Sequence, residues 1–261
     1  MRISRVLPAA LLALLATLAF TVPASAATGK YVALGDSYSS GLGAGSYTGG
    51  SCKRSANAYA QLWANSHAPS VFSFVACSGA QTADVLNSQA AAVTGDTALV
   101  TISIGGNDAG FSDVMITCNT SSDATCVQRN NDAQNFARTT LPGRLDNVYN
   151  AIRARTGGSV IVVGYPRMYK LGGGCIVGLS DTKRAAINQS ADVLAQVIGD
   201  RAAAHGFRFL DGRAAFSGHE ICGSRPFWLH SVDFSALDES YHPTVDGQNL
   251  GYFAALRAIT G

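Results

Sequence analysis

Past residue 26 the sequence has no apolar run long enough to cross a bilayer. It also lacks a cluster of Lys and Arg. The formal charge of +2 includes Arg2 and Arg5, so the remainder sits near +2 − 2 = 0. A neutral chain with no basic face offers no electrostatic grip on nucleic acid or on an anionic membrane surface. No Cys-x-x-Cys occurs, and no His flanks the cysteines at zinc-site spacing. His219-Glu220 has no second His four residues after the first, which removes a zincin-type motif. No internal repeat, linker or charge block divides the chain. Nothing in this pattern asks for a metal or an organic cofactor.

The N-terminus has a layout of its own. Arg2 and Arg5 precede an apolar run over residues 6–20, broken by Pro8 and Thr17, and Ala24-Ser25-Ala26 supplies small residues for cleavage. This predicts a secretory signal peptide over residues 1–26 and an extracellular product. Removal leaves 261 − 26 = 235 residues, enough for one domain with a substantial core over residues 27–261. The six cysteines, Cys52, Cys77, Cys118, Cys126, Cys175 and Cys222, all lie in that part. An even count in an exported chain reads as structural disulfides; many pairings are open, and order of appearance is the simplest.

Apolar runs bounded by Gly, Ser, Asn or Asp predict five strands, at residues 31–34, 71–76, 98–104, 160–163 and 207–210. Helices are expected over residues 56–67, 82–93 with Thr82 as its cap, 127–155 with a restart at Pro142, 181–205, and from Pro243 and Asp246 to 259. The polar stretch holding Cys118 and Cys126 reads as a small closed loop. Residues 212–241 read as a long irregular loop of the kind that tends to be functional. Alternating strands and helices imply a parallel sheet covered on both faces, a three-layer α/β/α arrangement.

In such sheets ligands gather beyond the carboxyl ends of the strands. Three strand ends there carry small or polar residues: Gly35-Asp36-Ser37, Ser78-Gly79 and Gly106-Asn107. A fourth element, Asp238-Glu239-Ser240-Tyr241-His242-Pro243, precedes the last helix. Each alone has an ordinary reading as a cap, a turn or a helix entry. Jointly they supply a hydroxyl, backbone N–H groups, a carboxamide and an imidazole, which is the equipment for acyl transfer. A Ser hydroxyl needs a neighbouring base, and imidazole titrates in the useful range. The oxyanion formed on attack needs fixed donors; the N–H groups of Ser37 and Gly79 and the Asn107 carboxamide are the candidates. Asp36 is expected to shape the turn. No Gly-x-Ser-x-Gly elbow is present, because position 39 is Ser, so the α/β-hydrolase nucleophile turn is disfavoured. His67 and His205 near helix ends read as surface or dipole partners.

Gly35-Asp36-Ser37-Tyr38-Ser39 resembles the first block of the GDSL or SGNH hydrolases. Gly79 is similar to their second block, Gly105-Gly106-Asn107-Asp108 to the third and His242-Pro243 to the last, in the same order over nearly the whole chain. The resemblance implies Ser37 as nucleophile, Gly79 and Asn107 as oxyanion donors, His242 as base, and a flavodoxin-like sandwich with a central five-stranded parallel sheet. With the leader and six cysteines the chain resembles the secreted actinobacterial lipase and phospholipase A1 branch, where bridges pair Cys52–Cys77, Cys118–Cys126 and Cys175–Cys222. The family usually places Asp three residues before the His; here that position is Glu239, with Asp238 one residue too early. The imidazole is therefore expected to be oriented by the Ser240 carbonyl, with the Glu239 and Asp238 side chains as the alternatives.

The expected activity is hydrolysis of acyl-lipid esters by a monomer through an acyl-serine, with Phe111 and residues 226–229 lining an acyl groove. An esterase that deacetylates polysaccharide and a catalytically dead carbohydrate- or surface-binding module are the rivals.

Overall fold

Strand β1, Lys30–Gly35, shows what the sheet demands of its residues. Tyr31, Val32, Ala33 and Leu34 are all fully buried, so both faces of the strand are covered and a continuous apolar run is favoured over an alternating one. The same holds for Ile161, Val162 and Val163 in β6, Ser159–Val163. The structure, a computed structural model, describes residues 29–173, 175 and 178–261; the expected signal peptide lies outside the described residues.

The five sheet strands are β1, β4 (Phe72–Phe74), β5 (Thr97–Ser103), β6 and β7 (Arg208–Leu210). All pair in parallel, in the spatial order β4-β1-β5-β6-β7. The chain leaves β1 for β4 on one side, then crosses back to β5 on the other. This reversal creates a crevice beyond the ends of β1 and β5, the usual ligand position in a doubly wound sheet. A small antiparallel pair, β2 (Tyr47–Thr48) and β3 (Arg54–Ser55), stands apart.

Helices flank the sheet: α1 (Ser37–Ser40), α2 (Tyr59–His67), α3 (Thr82–Asp84), α4 (Phe111–Thr120), α5 (Asp123–Thr139), α6 (Leu141–Arg153), α7 (Asp181–Ala204), α8 (Gly212–Ala215) and α9 (Ala254–Thr260). A π-helical segment, Gly247–Phe253, leads into α9, and another, Val85–Gln89, follows α3. One group joins α5, α6 and α7; another joins α2, α9 and the π-helical turn before α9. The three-layer α/β/α architecture with a five-stranded parallel sheet is the one expected.

Two local expectations are corrected. The stretch holding Cys118 and Cys126 is mostly helical: Cys118 belongs to α4 and Cys126 to α5, and their disulfide joins two helices. The signal was present, because Phe111, Val114, Met115 and Cys118 recur at helical spacing and turn inward. The intervening Ser, Asp, Thr and Asn masked it. Gln81, not Thr82, is the cap of α3; its side chain and that of Asp84 form a reciprocal capping box. The Thr82 hydroxyl is engaged elsewhere, as described below. The remaining disulfides join Cys52 to Cys77 and Cys175 to Cys222.

Candidate active site

Ser37 is the first residue of α1, directly after β1. Gly35 enters this turn with φ +118, and a side chain there would collide with the Ser103 backbone at 2.3 Å. Asp36 caps the helix: its Oδ1 accepts the Tyr38 N–H at 3.0 Å and the Ser103 hydroxyl at 2.7 Å, and its Oδ2 accepts the Tyr165 hydroxyl. Burial raises the Asp36 carboxyl to about 6, against the pull of those hydrogen bonds. Ser37 itself is buried but for a sliver of its surface. As the first residue of a helix, its N–H has no intrahelical acceptor.

The His242 ring lies against Ser37, with Nε2 2.8 Å from Oγ. Nδ1 is 3.1 Å from the Ser240 carbonyl oxygen. A carbonyl only accepts, so the proton sits on Nδ1 and the lone pair of Nε2 faces the Ser37 hydroxyl. Burial pulls the imidazole down to about 4, with the Ser240 carbonyl pulling weakly the other way. It is therefore neutral and ready to accept a proton at neutral pH. Neither acidic side chain hydrogen-bonds this ring, although Asp238 lies near enough to favour its charged form. Glu239 accepts the Tyr47 hydroxyl at 2.7 Å, and Asp238 lies 3.5 Å from Lys53 with its side chain more than half exposed.

The pairing of these two distant residues has a brace that sequence reading did not find. The Tyr38 hydroxyl donates to the Tyr241 carbonyl at 2.7 Å, linking the residue after Ser37 to the residue before His242. Tyr241 adopts φ +66, uncommon for a residue with a side chain. Its hydroxyl accepts from Asn119 on α4 at 2.8 Å. His230 braces the same loop: it exchanges backbone hydrogen bonds with Tyr241 and His242, and its Nε2 donates to the Gly43 carbonyl at 2.7 Å.

Asn107 follows β5 through two glycines. Its carboxamide donates to the Ala80 carbonyl at 3.0 Å, which tethers it beside the Gly79 turn, where φ is +81. Asp108 strengthens that tether. Its side chain has no solvent exposure and accepts the Thr82 N–H at 3.0 Å, the Thr82 hydroxyl at 2.6 Å and Arg144 at 3.1 Å. Tyr165, just after β6, bridges the first and third blocks: its hydroxyl accepts the Gly106 N–H at 3.0 Å while donating to Asp36. The sequence alone gives neither Tyr165 nor Asp108 a task. Tyr165 stands at a strand end closed by Gly164 and Pro166, so the rule that found the other blocks reaches it too.

Ser37 and Asn107 open onto a narrow, mostly apolar cavity. Its walls are Phe111 and Met115 of α4, Ala133 of α5, and Ile187, Ala191 and Leu194 of α7. Asn130 and Ser190 add polar atoms to this apolar lining, and they bond to each other at 2.8 Å. Phe111 lines this cavity, but residues 226–229 do not. Trp228 stacks on His219, Phe227 lies under Arg225, and Leu229 is buried in the core. Aromatic content drew attention to that loop, whereas the cavity is built from helix faces. Among the described residues no group of three or more His, Cys, Asp and Glu could hold a metal ion.

A model of the GDSL-like lipase/acylhydrolase family matches residues 33–250. The chain is 55% identical to a lipase 1 of Streptomyces coelicolor over 234 residues, which cover 88% of this chain and 87% of the relative. It is 52% identical to a lipase of Streptomyces rimosus over 248 residues, 94% of this chain and 91% of the other. The crystal structure of a phospholipase A1 from Streptomyces albidoflavus is similar with a TM-score of 0.86 at 54% identity, covering 89% of this chain and 99% of that one. An acetylxylan esterase from Geobacillus stearothermophilus gives 0.55 at 16% identity, a likeness of fold alone.

Proposed function

Given that the chain belongs to the GDSL-like lipase/acylhydrolase family, we propose that it cleaves the ester bonds of acyl lipids through an acyl-Ser37 intermediate. It is a carboxylic ester hydrolase of the lipase and phospholipase kind. The observation that carries the assignment of roles is the 2.8 Å contact between Ser37 Oγ and a buried, neutral His242.

In this reading His242 Nε2 takes the Ser37 proton as Oγ attacks the ester carbonyl. The tetrahedral oxyanion is met by the N–H groups of Ser37 and Gly79 and by the Asn107 carboxamide. Imidazolium then protonates the departing alcohol, and the acyl group stays on Ser37. Water, losing its proton to His242, releases the acid. The Ser240 carbonyl keeps Nδ1 protonated throughout, so the ring works as a dyad without a carboxylate. The acyl chain enters the cavity between α4, α5 and α7, whose apolar walls suit an alkyl chain and argue against a small acetyl group on a polysaccharide. Residues 27–261 act as a monomeric catalytic unit, exported by a cleaved leader over residues 1–26. No helix of the described residues is long and apolar enough to cross a membrane.

A serine-directed alkyl phosphonate should add its mass to Ser37 and abolish turnover, while Ser37→Ala takes up none. Labelling elsewhere, or full activity in Ser37→Ala, would overturn the assignment. Chain-length profiling with p-nitrophenyl esters and positional analysis of phospholipid products then fix the preferred substrate.

A further inference from the structure

The backbone on either side of Ser37 is held by two buried carboxamides that the acyl-transfer steps do not use. Gln89 meets it from the side of the strand. Its Oε1 accepts the Gly35 N–H at 2.7 Å and its Nε2 donates to the Gly35 carbonyl at 2.9 Å. Neighbouring strand β4 has already ended at Phe74. The chain beyond it still gives the Cys77 N–H to the Gly35 carbonyl at 2.9 Å, but the Gly35 N–H goes to Gln89. The side chain thus extends the ladder by one rung, at the glycine whose φ of +118 starts the nucleophile turn.

Gln248 meets the same turn from the side of the helix. Its Nε2 donates to the Tyr38 carbonyl at 3.1 Å and its Oε1 accepts the Tyr59 N–H at 2.9 Å. A helix as short as α1 cannot pair all its carbonyls internally, and Tyr59, the first residue of α2, has no intrahelical acceptor for its N–H. Ala58 before it offers no side-chain cap. One carboxamide satisfies both orphan groups and ties the segment that follows His242 to the helix that Ser37 opens. Both glutamines sit in π-helical turns, Gln89 at the end of Val85–Gln89 and Gln248 near the start of Gly247–Phe253. Such turns are rare and frequently mark functional sites. Here each coincides with an inward carboxamide: Gln89 is 3% exposed and Gln248 is fully buried.

We propose that Gln89 and Gln248 are positioning residues for the reaction, a two-sided clamp that holds the Ser37 hydroxyl in line with His242 and the Ser37 N–H in the oxyanion hole. The inference rests on Ser37 being the nucleophile. Each carboxamide acts through main-chain groups, those of Gly35 before Ser37 and of Tyr38 directly after it. The leverage is large, because a misplacement of about 1 Å at a reacting atom can cost on the order of a hundredfold in rate.

The test takes the full chain carrying Gln89→Met or Gln248→Met, which keep side-chain length and remove the hydrogen-bonding end. The phosphonate described above counts working sites by the extent of labelling and reads nucleophile alignment by its rate. On dissolved p-nitrophenyl butyrate, kcat per labelled site should fall about tenfold or more in each variant with KM within about twofold, and the labelling rate should fall in step. Ile198→Val, a core truncation on α7, should lower the unfolding midpoint yet keep kcat within about twofold. Where a Met variant does not fold, Asn at the same position keeps the carboxamide but withdraws it by one methylene, and the same loss of kcat is expected. Unchanged kcat and labelling rate per site overturn the clamp, whatever happens to the unfolding midpoint. A raised KM with kcat kept also overturns it, since that would place the glutamines in substrate binding. A parent that takes up no phosphonate at Ser37 overturns the nucleophile assignment and the clamp together.

Discussion

At the scale of the residue, the site depends on which partner each polar atom already has. Glu239 is bonded to Tyr47 and Nδ1 of His242 to a main-chain carbonyl. Glu239→Ala should therefore keep kcat/KM within about threefold of the parent, while Ser37→Ala loses on the order of 10⁴ or more; steady-state kinetics on a dissolved ester separates them. The pH profile follows from the same burial. In its proposed role as base His242 must be neutral, and its folded-state value is lowered from 6.5 to about 4. The acid limb of kcat/KM should therefore lie well below pH 6.5, with activity lost as pH falls toward 4. The linked effect on folding has the same direction. Between pH 6.5 and about 4 the unfolded imidazole takes a proton that the folded one refuses, so this group costs stability as pH falls through that window. Asp36 acts oppositely there: raised to about 6, its contribution is present below 3.8 and lost as pH rises through 6. A third expectation concerns the brace. Tyr38→Phe removes the hydrogen bond to the Tyr241 carbonyl and leaves the ring, so kcat should fall about tenfold with KM little changed.

At the scale of the element, the strands were legible and one helix was not. The runs at residues 31–34, 98–104 and 160–163 are apolar, bounded and buried on both sides, which is the pattern strand reading relies on. Edge strand β4 is only half-buried, and it is shorter than its apolar run because pairing with β1 covers three positions alone. Helix α4 hid behind polar residues that face solvent, and with it went one wall of the cavity beside Ser37. The four blocks were readable because each stands at a strand end or helix entry. The positioning roles of Tyr38 and Asp108 were not, since their partners lie on other elements and no local spacing announces them, whereas Tyr165 stands at a strand end that the same rule reaches. A cavity made of helix faces invites a test by filling it. Ala133→Leu, on α5, should depress turnover of long-chain p-nitrophenyl esters about tenfold or more relative to the butyrate, because the added methylenes take space an alkyl chain would use. Equal loss at all chain lengths would argue that the chain lies elsewhere.

For the whole molecule, the sheet's reversal at β1 gathers side chains that the sequence scatters. The cysteine pairs then fasten the loops around that crevice: Cys52–Cys77 stands next to the Gly79 turn, and Cys118–Cys126 holds α4 to α5. Replacing Cys118 and Cys126 with Ala removes a bridge spanning 8 residues, and thermal unfolding should register a loss on the order of 2–3 kcal/mol. Because that bridge also sets the spacing of two cavity walls, the preference among acyl lengths should broaden in the same variant.

The hydroxyl and the imidazole that meet at 2.8 Å are separated by 205 positions. With the roles proposed above, a chain still being made on the ribosome carries its nucleophile long before its base. On that reading, ester cleavage would begin only once the C-terminal segment has emerged and docked, so order of synthesis would keep the site silent until translation is almost complete.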